Sequence, residues 1–269
     1  MPANQLTLTC VLAHPDDESM GTGGLLAKCK AEDIRTTLVT ATGGQRGWFG
    51  EPEEHPGLEA LAKIRHEELL QAGNKLGVAQ IDELGFMDGE LDQVRPTDVI
   101  KPIVEHLRRE RPHVVVTFDP FGIYGHPDHI AISQLALASV VAAADTGSFR
   151  QAGPAHQVKK FYYFIDTLEA IKLYEKAFGE LVVEMDGDMR KSVGWPDWAI
   201  TARIDTSDYI DQIWQAIQCH QSQLPNIQSI TKLSKAERFQ LWSAGHFYRS
   251  FSLVNGGRQL ETDLFEGLR

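Results

Sequence analysis

Residues 6–24 read LTLTCVLAHPDDESMGTGG, and the fold turns on how that stretch is parsed. Its first part, LTLTCVL, is an apolar, β-branched run of strand length, the pattern of a strand buried on both faces. The turn that follows sets His14, Asp16, Asp17 and Glu18 side by side. Three adjacent carboxylates repel one another, and each costs several kcal/mol if buried without a partner. A buried strand that delivers such a turn predicts a cation at its carboxyl end.

Outward from this stretch, apolar runs alternate with helix-period segments. Strands are expected at 6–13, 35–41, 81–86, 113–118 and 159–165, and near 199–204 and 246–254. Helices are expected at 22–32, 58–77, 97–110, 127–144, 167–178, 206–221 and 234–243. This alternation predicts an α/β fold, a mostly parallel sheet with helices on both faces. AHPDDESMGTGG follows the first strand, TGGQRGW the second and DPFGIYGHPDH the fourth. All three therefore leave carboxyl ends of strands, which in an open parallel sheet gather along one rim where ligands bind. The long Gly- and Pro-rich loop 42–57 is expected to face substrate.

With 269 residues and 42% hydrophobic content, the chain can bury one large core, and no linker divides it. It reads as a single domain over 1–269, with a metal-binding core over 1–150 and a substrate-side portion over 151–269. A formal charge of −11 opposes attraction to nucleic acid or anionic lipid. The stretch IAISQLALASVVAAA (130–144) carries Ser and Gln and falls short of the ~20 residues of a membrane span. MPANQLTLTCVLAH lacks the features of a secretory leader. Cys10, Cys29 and Cys219 make no disulfide framework, so a reducing cytoplasm is expected. The expected partner is a small molecule, with neither nucleic acid nor membrane.

Two His-Pro-Asp strings, each on a strand-end loop ahead of helical sequence, carry the chemistry. His14, Asp17 and His129 form a two-imidazole, one-carboxylate set suited to a catalytic divalent metal. The set fits Zn²⁺, and it is also the facial triad of non-haem Fe(II) enzymes. Asp16 would then be general base on a water that the ion activates. His126, as imidazolium, would stabilise an oxyanion or protonate the leaving amine, and Asp128 would orient it. The alternative for these strings is a pair of helix caps formed by Asp16 or Asp128, and Glu18 is expected to be a helix-start charge facing the macrodipole. GTGG (21–24) is not G-x-G-x-x-G, and a pyrophosphate there would meet Asp16, Asp17 and Glu18. Those glycines are expected to give close helix packing or room for a bulky ligand.

AHPDDE together with GHPDH resembles the zinc-dependent N-acetylglucosamine de-N-acetylases of the PIG-L/LmbE-like family, which includes mycothiol- and bacillithiol-type and diacetylchitobiose deacetylases. RHEELLQAGNKLGV (65–78), LGFMDGEL (84–91), HQSQ (220–223) and ETDLFEGL (261–268) extend the likeness over nearly the whole chain. The resemblance implies a Rossmann-like, LmbE-like fold with a C-terminal α/β extension, and one Zn²⁺ per chain, Fe²⁺ or another divalent ion being the alternative. Its metal ligands would be His14, Asp17 and His129, with Asp16 as base and His126 as electrostatic or acid catalyst. It further implies Tyr124 at the substrate carbonyl, Arg65 and Asp88 on an amino-sugar substrate, and a homotrimer or hexamer. From sequence alone, Arg65 could equally pair with Glu68 on an exposed helix face. Gln45-Arg46-Gly47, followed by Trp48 and Phe49, departs from the family's Gly-Glu and changes charge and bulk at the pocket mouth. Residues 185–200 match nothing in the family; they are expected to form a lid, or to pack through Trp195 and Trp198. The function implied is hydrolysis of an acetamido group to acetate and a free amine. The alternatives are an Fe(II) oxygenase on the same ligands, or a sugar- or metal-binding protein without chemistry.

Overall fold

A computed structural model of the protein describes residues 5–180, 182–185 and 187–269. In chain order its strands are β1 (Thr7–Leu12), β2 (Arg35–Thr42), β3 (Gln80–Phe86), β4 (Val114–Phe118), β5 (Lys160–Phe164), β6 (Val182–Met185), β7 (Asp188–Lys191), β8 (Ala202–Asp205) and β9 (Ala244–Ser252). The helices are α1 (Asp17–Met20), α2 (Gly23–Ala31), α3 (Leu58–Leu76), α4 (Pro96–Glu110), α5 (Gly122–Gly125), α6 (Pro127–Ala144), α7 (Leu168–Phe178), α8 (Ile210–Ile217), α9 (Leu224–Ile227) and α10 (Lys235–Trp242). Seven strands form one sheet in the order β3-β2-β1-β4-β5-β9-β8, with β6 and β7 a separate hairpin. The first five strands are parallel, while β9 is antiparallel to both β5 and β8.

The strand order reverses between β1 and β4, so the crevice at their carboxyl ends is the topological switch point of the sheet. Every residue of β1 and β4 is buried, as the continuous apolar runs require of central parallel strands. The β3 edge strand is only partly buried. The C-terminal strands β9 and β8 extend the same sheet.

Most elements lie where periodicity places them. The larger departures are β8, at Ala202–Asp205 instead of 199–204, and α8, which is Ile210–Ile217 after a 3₁₀ turn at Ser207–Tyr209. The β6–β7 hairpin had no apolar signal to announce it, because VVEMDGDMRK is short and half charged. Residues 1–4 of the expected leader-free N-terminus and residue 186 of the expected lid lie outside the described residues. Among the described residues, α6 alone is long and apolar enough to cross a membrane, and it packs instead as a core helix on α4, β4 and β1.

The glycines of GTGG serve packing. A Cβ at Gly21 would come within 2.7 Å of the Phe164 ring, and one at Gly24 within 2.8 Å of the Thr206 Cβ.

Candidate active site

The loop after β1 is held in a conformation its residues do not favour. Asp16 has φ 122° and ψ −25°, outside the common regions for a residue with a Cβ. Such strain persists only where neighbours over-determine it, and it concentrates at functional sites. Here Glu18 Oε2 accepts the Asp16 N–H at 3.0 Å, and Arg65 Nη2 donates to Asp16 Oδ2 at 3.2 Å and to the Pro15 carbonyl. Arg65 Nη1 donates to the Gly44 carbonyl at 2.8 Å. Side chains at Gly44 or Gly47 would occupy the space of this guanidinium, which explains the glycines of the second loop.

The loop after β4 is organised by Asp119. Its Oδ1 accepts the N–H groups of Phe121 and Ile123, both at 3.0 Å, and its Oδ2 accepts Trp195 Nε1–H at 2.6 Å. This clamp holds Ile123 at φ 65° and ψ −71°, an outlier for a β-branched residue, and so aims Tyr124 and His126. Pro127 then starts α6 at its first position, where a missing N–H costs nothing. One helical turn brings His129 to the crevice, its ring stacked on Phe118 with centroids 3.9 Å apart.

The two loops meet at one point. His14 Nδ1 lies 3.1 Å from His129 Nε2, with Asp17 Oδ2 3.5 Å from the His14 nitrogen and Asp17 Oδ1 3.5 Å from the His129 nitrogen. Ligand atoms about 2.0–2.1 Å from a shared tetrahedral centre stand about 3.3–3.4 Å apart, close to the His14–His129 spacing; Asp17 Oδ2 accepts the His14 backbone N–H at 2.6 Å, which leaves Oδ1, 3.5 Å from His129 Nε2, as its oxygen for a zinc-sized ion. His14 Nε2 donates to Asp128 Oδ2 at 3.1 Å and lies 3.2 Å from Asp88 Oδ1. That contact turns the Nδ1 lone pair toward His129 and Asp17, the carboxylate–histidine arrangement that orients a metal-binding imidazole. Three converging electron-pair donors of this kind call for a cation. His126 also offers a ring nitrogen within 4.8 Å of those of His14 and His129.

Burial and neighbouring charges divide the titratable groups. Burial lifts Asp16 to about 6 against the pull of Arg65, leaving it ionised at neutral pH but more basic than an ordinary carboxylate. Asp17 is held at about 2, because the two imidazoles outweigh its burial. Burial lowers His129 to about 3, which keeps its ring neutral. His14 is raised well above its usual value: burial works against this, but Asp128, Asp17 and Asp88 prevail, so without an ion the ring holds both protons, and a bound cation would take the place of the one on Nδ1. Tyr124 is raised by burial and by the acidic cluster, so its hydroxyl stays a donor.

Several expectations need correction. His126 is not an imidazolium, since burial and the adjacent His14 lower it to about 4. Its Nδ1 accepts the Asp128 N–H at 3.2 Å, which leaves the ring proton on Nε2 as a neutral donor. The Asp128 carboxylate orients His14 instead of His126, and also accepts the N–H groups of Gly89 and Leu91. Neither Asp16 nor Asp128 caps a helix through its side chain; His126 caps α6. Asp88, expected at the substrate, accepts Arg46 N–H at 3.1 Å and faces His14. Arg65 makes no surface pair with Glu68: it is buried against Asp16, while Glu68 accepts Ser222 N–H and Oγ–H, both at 2.7 Å. Glu18 does more than face a helix dipole, for it is fully buried and accepts His220 Nε2–H at 2.7 Å. Asp119 and His220 are the supports that sequence reasoning missed; an Asp-Pro-x-Gly turn signal was present for the first.

A cavity of about 470 Å³ opens beside Asp16, Asp17, Tyr124 and His129. From the loop after β2 only Phe49 lines it; Gln45 and Arg46 bond to the 86–90 turn, and Trp48 bonds to Glu51. The hairpin lies against α5, where Val193 N–H donates to the Ile123 carbonyl at 3.1 Å. Trp195 packs against Tyr248 and Phe121, and Trp198 is 83% exposed, so neither lines the cavity.

The switch-point crevice, with two histidines and a carboxylate around a cation-sized space and a second carboxylate beside it, defines a metal-dependent hydrolase type of site on an α/β sheet. The family model for GlcNAc-PI de-N-acetylase, PIG-L, matches residues 9–140. The chain is 32% identical to the 1D-myo-inositol 2-acetamido-2-deoxy-alpha-D-glucopyranoside deacetylase of Kineococcus radiotolerans, covering 96% of this chain and 82% of that protein. It is 30% identical to deacetylase 3 of the same description from Catenulispora acidiphila, over 99% of this chain and 87% of the relative. The chain belongs to the PIG-L family. The N,N'-diacetylchitobiose deacetylase of Pyrococcus horikoshii shares the fold, with a TM-score of 0.67 at 22% identity over 90% of this chain and 83% of that one.

Proposed function

We propose that the protein hydrolyses the N-acetyl group of an N-acetylglucosamine-containing small molecule, releasing acetate and a free amine, with one zinc ion held by His14, Asp17 and His129. The observation that carries this reading is the 3.1–3.5 Å convergence of those three side chains next to Asp16. A divalent cation there supplies Lewis-acid polarisation of the acyl oxygen and makes water acidic near neutral pH. Asp16, kept basic by burial, takes the proton of the attacking water and returns it to the departing amine. His126 Nε2–H and the Tyr124 hydroxyl are neutral donors for the oxyanion, and both keep their protons throughout. Arg65 and Glu18 hold Asp16 in its strained backbone. Zinc is proposed over iron because hydrolysis needs no change of oxidation state.

Asp16→Asn is expected to retain stoichiometric metal while amine release falls by about 10²–10⁴. Metal content by elemental analysis and amine release from N-acetylglucosaminides test this directly; unimpaired turnover would remove Asp16 from the mechanism. Chelation should abolish activity and zinc restore it without oxygen. A strict need for iron and O₂ would replace hydrolysis by oxygenase chemistry.

A further inference from the structure

The wall of the cavity beyond the ligand cluster is mostly hydrocarbon. Met20, Phe49, Ile123, Phe164, Phe178 and Val182 line it. Four polar side chains interrupt that wall: Glu180, already paired with Lys191, and Tyr174, Ser192 and Asp166. Ser192 Oγ is buried without a hydrogen-bond partner, and the Asp166 carboxylate makes no hydrogen bond among the described residues. A pyranose with a second polyol ring carries a hydroxyl on nearly every carbon. Each hydroxyl buried without a partner is penalised, and the few polar groups of Tyr174, Ser192 and Asp166 cannot serve so many. Hydrocarbon against this wall gains about fourfold in affinity per buried methylene.

We propose that the substrate amide carries an apolar alkyl or aryl arm of about six or more carbons, lying along the wall between Phe49 and Phe178, with Ser192 and Asp166 bonding the hydroxyls of the sugar. The arm is the aglycone of the N-acetylglucosamine, because the acyl group that leaves is acetate. This rests on the amide-hydrolase reading above and deepens it. The volume of about 470 Å³ lies within the range of small-ligand pockets and suits one sugar ring plus such an arm.

The test uses the zinc-loaded full chain and two substrate series. One varies the aglycone from methyl to octyl on N-acetylglucosamine, and the other varies the acyl group from acetyl to octanoyl on glucosamine. In the aglycone series kcat/KM is expected to rise at least 50-fold from shortest to longest, while lengthening the acyl group is expected to give no such rise. Phe178→Ser and, separately, the loop variant Phe49→Ser should each cut that ratio at least fivefold, so a folding failure of one leaves the other. A flat aglycone series overturns the apolar arm while leaving amide hydrolysis intact. Calorimetric binding of octyl and methyl glucosaminides to wild type reads the cavity without catalysis. If no amide is cleaved, the hydrolase reading falls; tighter octyl binding by at least 50-fold then upholds the apolar wall, and equal binding overturns it.

Discussion

His14 shows how much of this site depends on residues that never reach the cavity. Its Nε2 is taken by Asp128 and Asp88, which leaves Nδ1 as the only nitrogen that can face Asp17 and His129. Asp128→Asn should therefore weaken metal affinity about 10–100-fold, because a partner that orients a metal-binding imidazole is worth that much. Competition against a chelator measures it, and kcat at saturating metal should change less than the affinity. An unchanged affinity would mean that Asp128 serves only the Gly89 and Leu91 N–H groups. The ligands themselves were legible in two His-Pro-Asp strings. The partner of each was not, since Asp128 is adjacent in sequence to His129 but bonds across the crevice to His14.

At the scale of elements, polar contacts tie the helices to the sheet that positions the rim. His106 on α4 is fully buried, with Nδ1 2.9 Å from Asp82 Oδ2 on β3 and Nε2 2.9 Å from Thr37 Oγ1 on β2. The His106 hydrogen bond holds the Asp82 carboxyl well below its ordinary value; burial opposes this, and Arg109 and Gln80 add to it. A carboxyl depressed in the folded state stabilises above its unfolded pKa, and that contribution is lost as pH falls through the folded value. Asp82→Asn should thus cost about 1.5–3 kcal/mol at pH 7. The gap to wild type should narrow from about pH 4 downward. Urea unfolding at pH 7, 5 and 3 checks both, and a gap independent of pH would rule out the charge as its origin. Strand and helix positions were readable because burial imposes periods of 2 and 3.6 on apolar residues. The β6–β7 hairpin obeys neither period and escaped.

For the whole molecule, the C-terminal segment closes the sheet. Glu261, 1% exposed, bonds to Lys160 Nζ at 2.6 Å, Tyr162 Oη at 2.5 Å and Arg249 Nη1 at 2.9 Å. It joins the tail to β5 and β9, and Phe164 and Asp166 at the end of β5 line the cavity. Glu261→Gln leaves Lys160 buried without a counter-charge, which should destabilise the fold by about 3–5 kcal/mol. Denaturant unfolding would show the loss as a lower midpoint with an unchanged slope. A midpoint within error of wild type would assign the network no role in stability.

ETDLFEGL was visible in the sequence as a likeness, yet its physical task, neutralising a buried lysine about a hundred residues away in the chain, was not. The sequence by itself determined the class of fold, the strand-end placement of the unusual loops, and the donors His14, Asp17 and His129, because burial periodicity and residue chemistry are local properties. Tertiary structure alone decided which partner each polar group received: Asp128 for His14, His220 for Glu18, Asp119 for the strained Tyr124 loop, and a neutral instead of a charged His126. Hydrogen-bond pairing and desolvation depend on distances between segments far apart in the chain, and no local pattern encodes those distances.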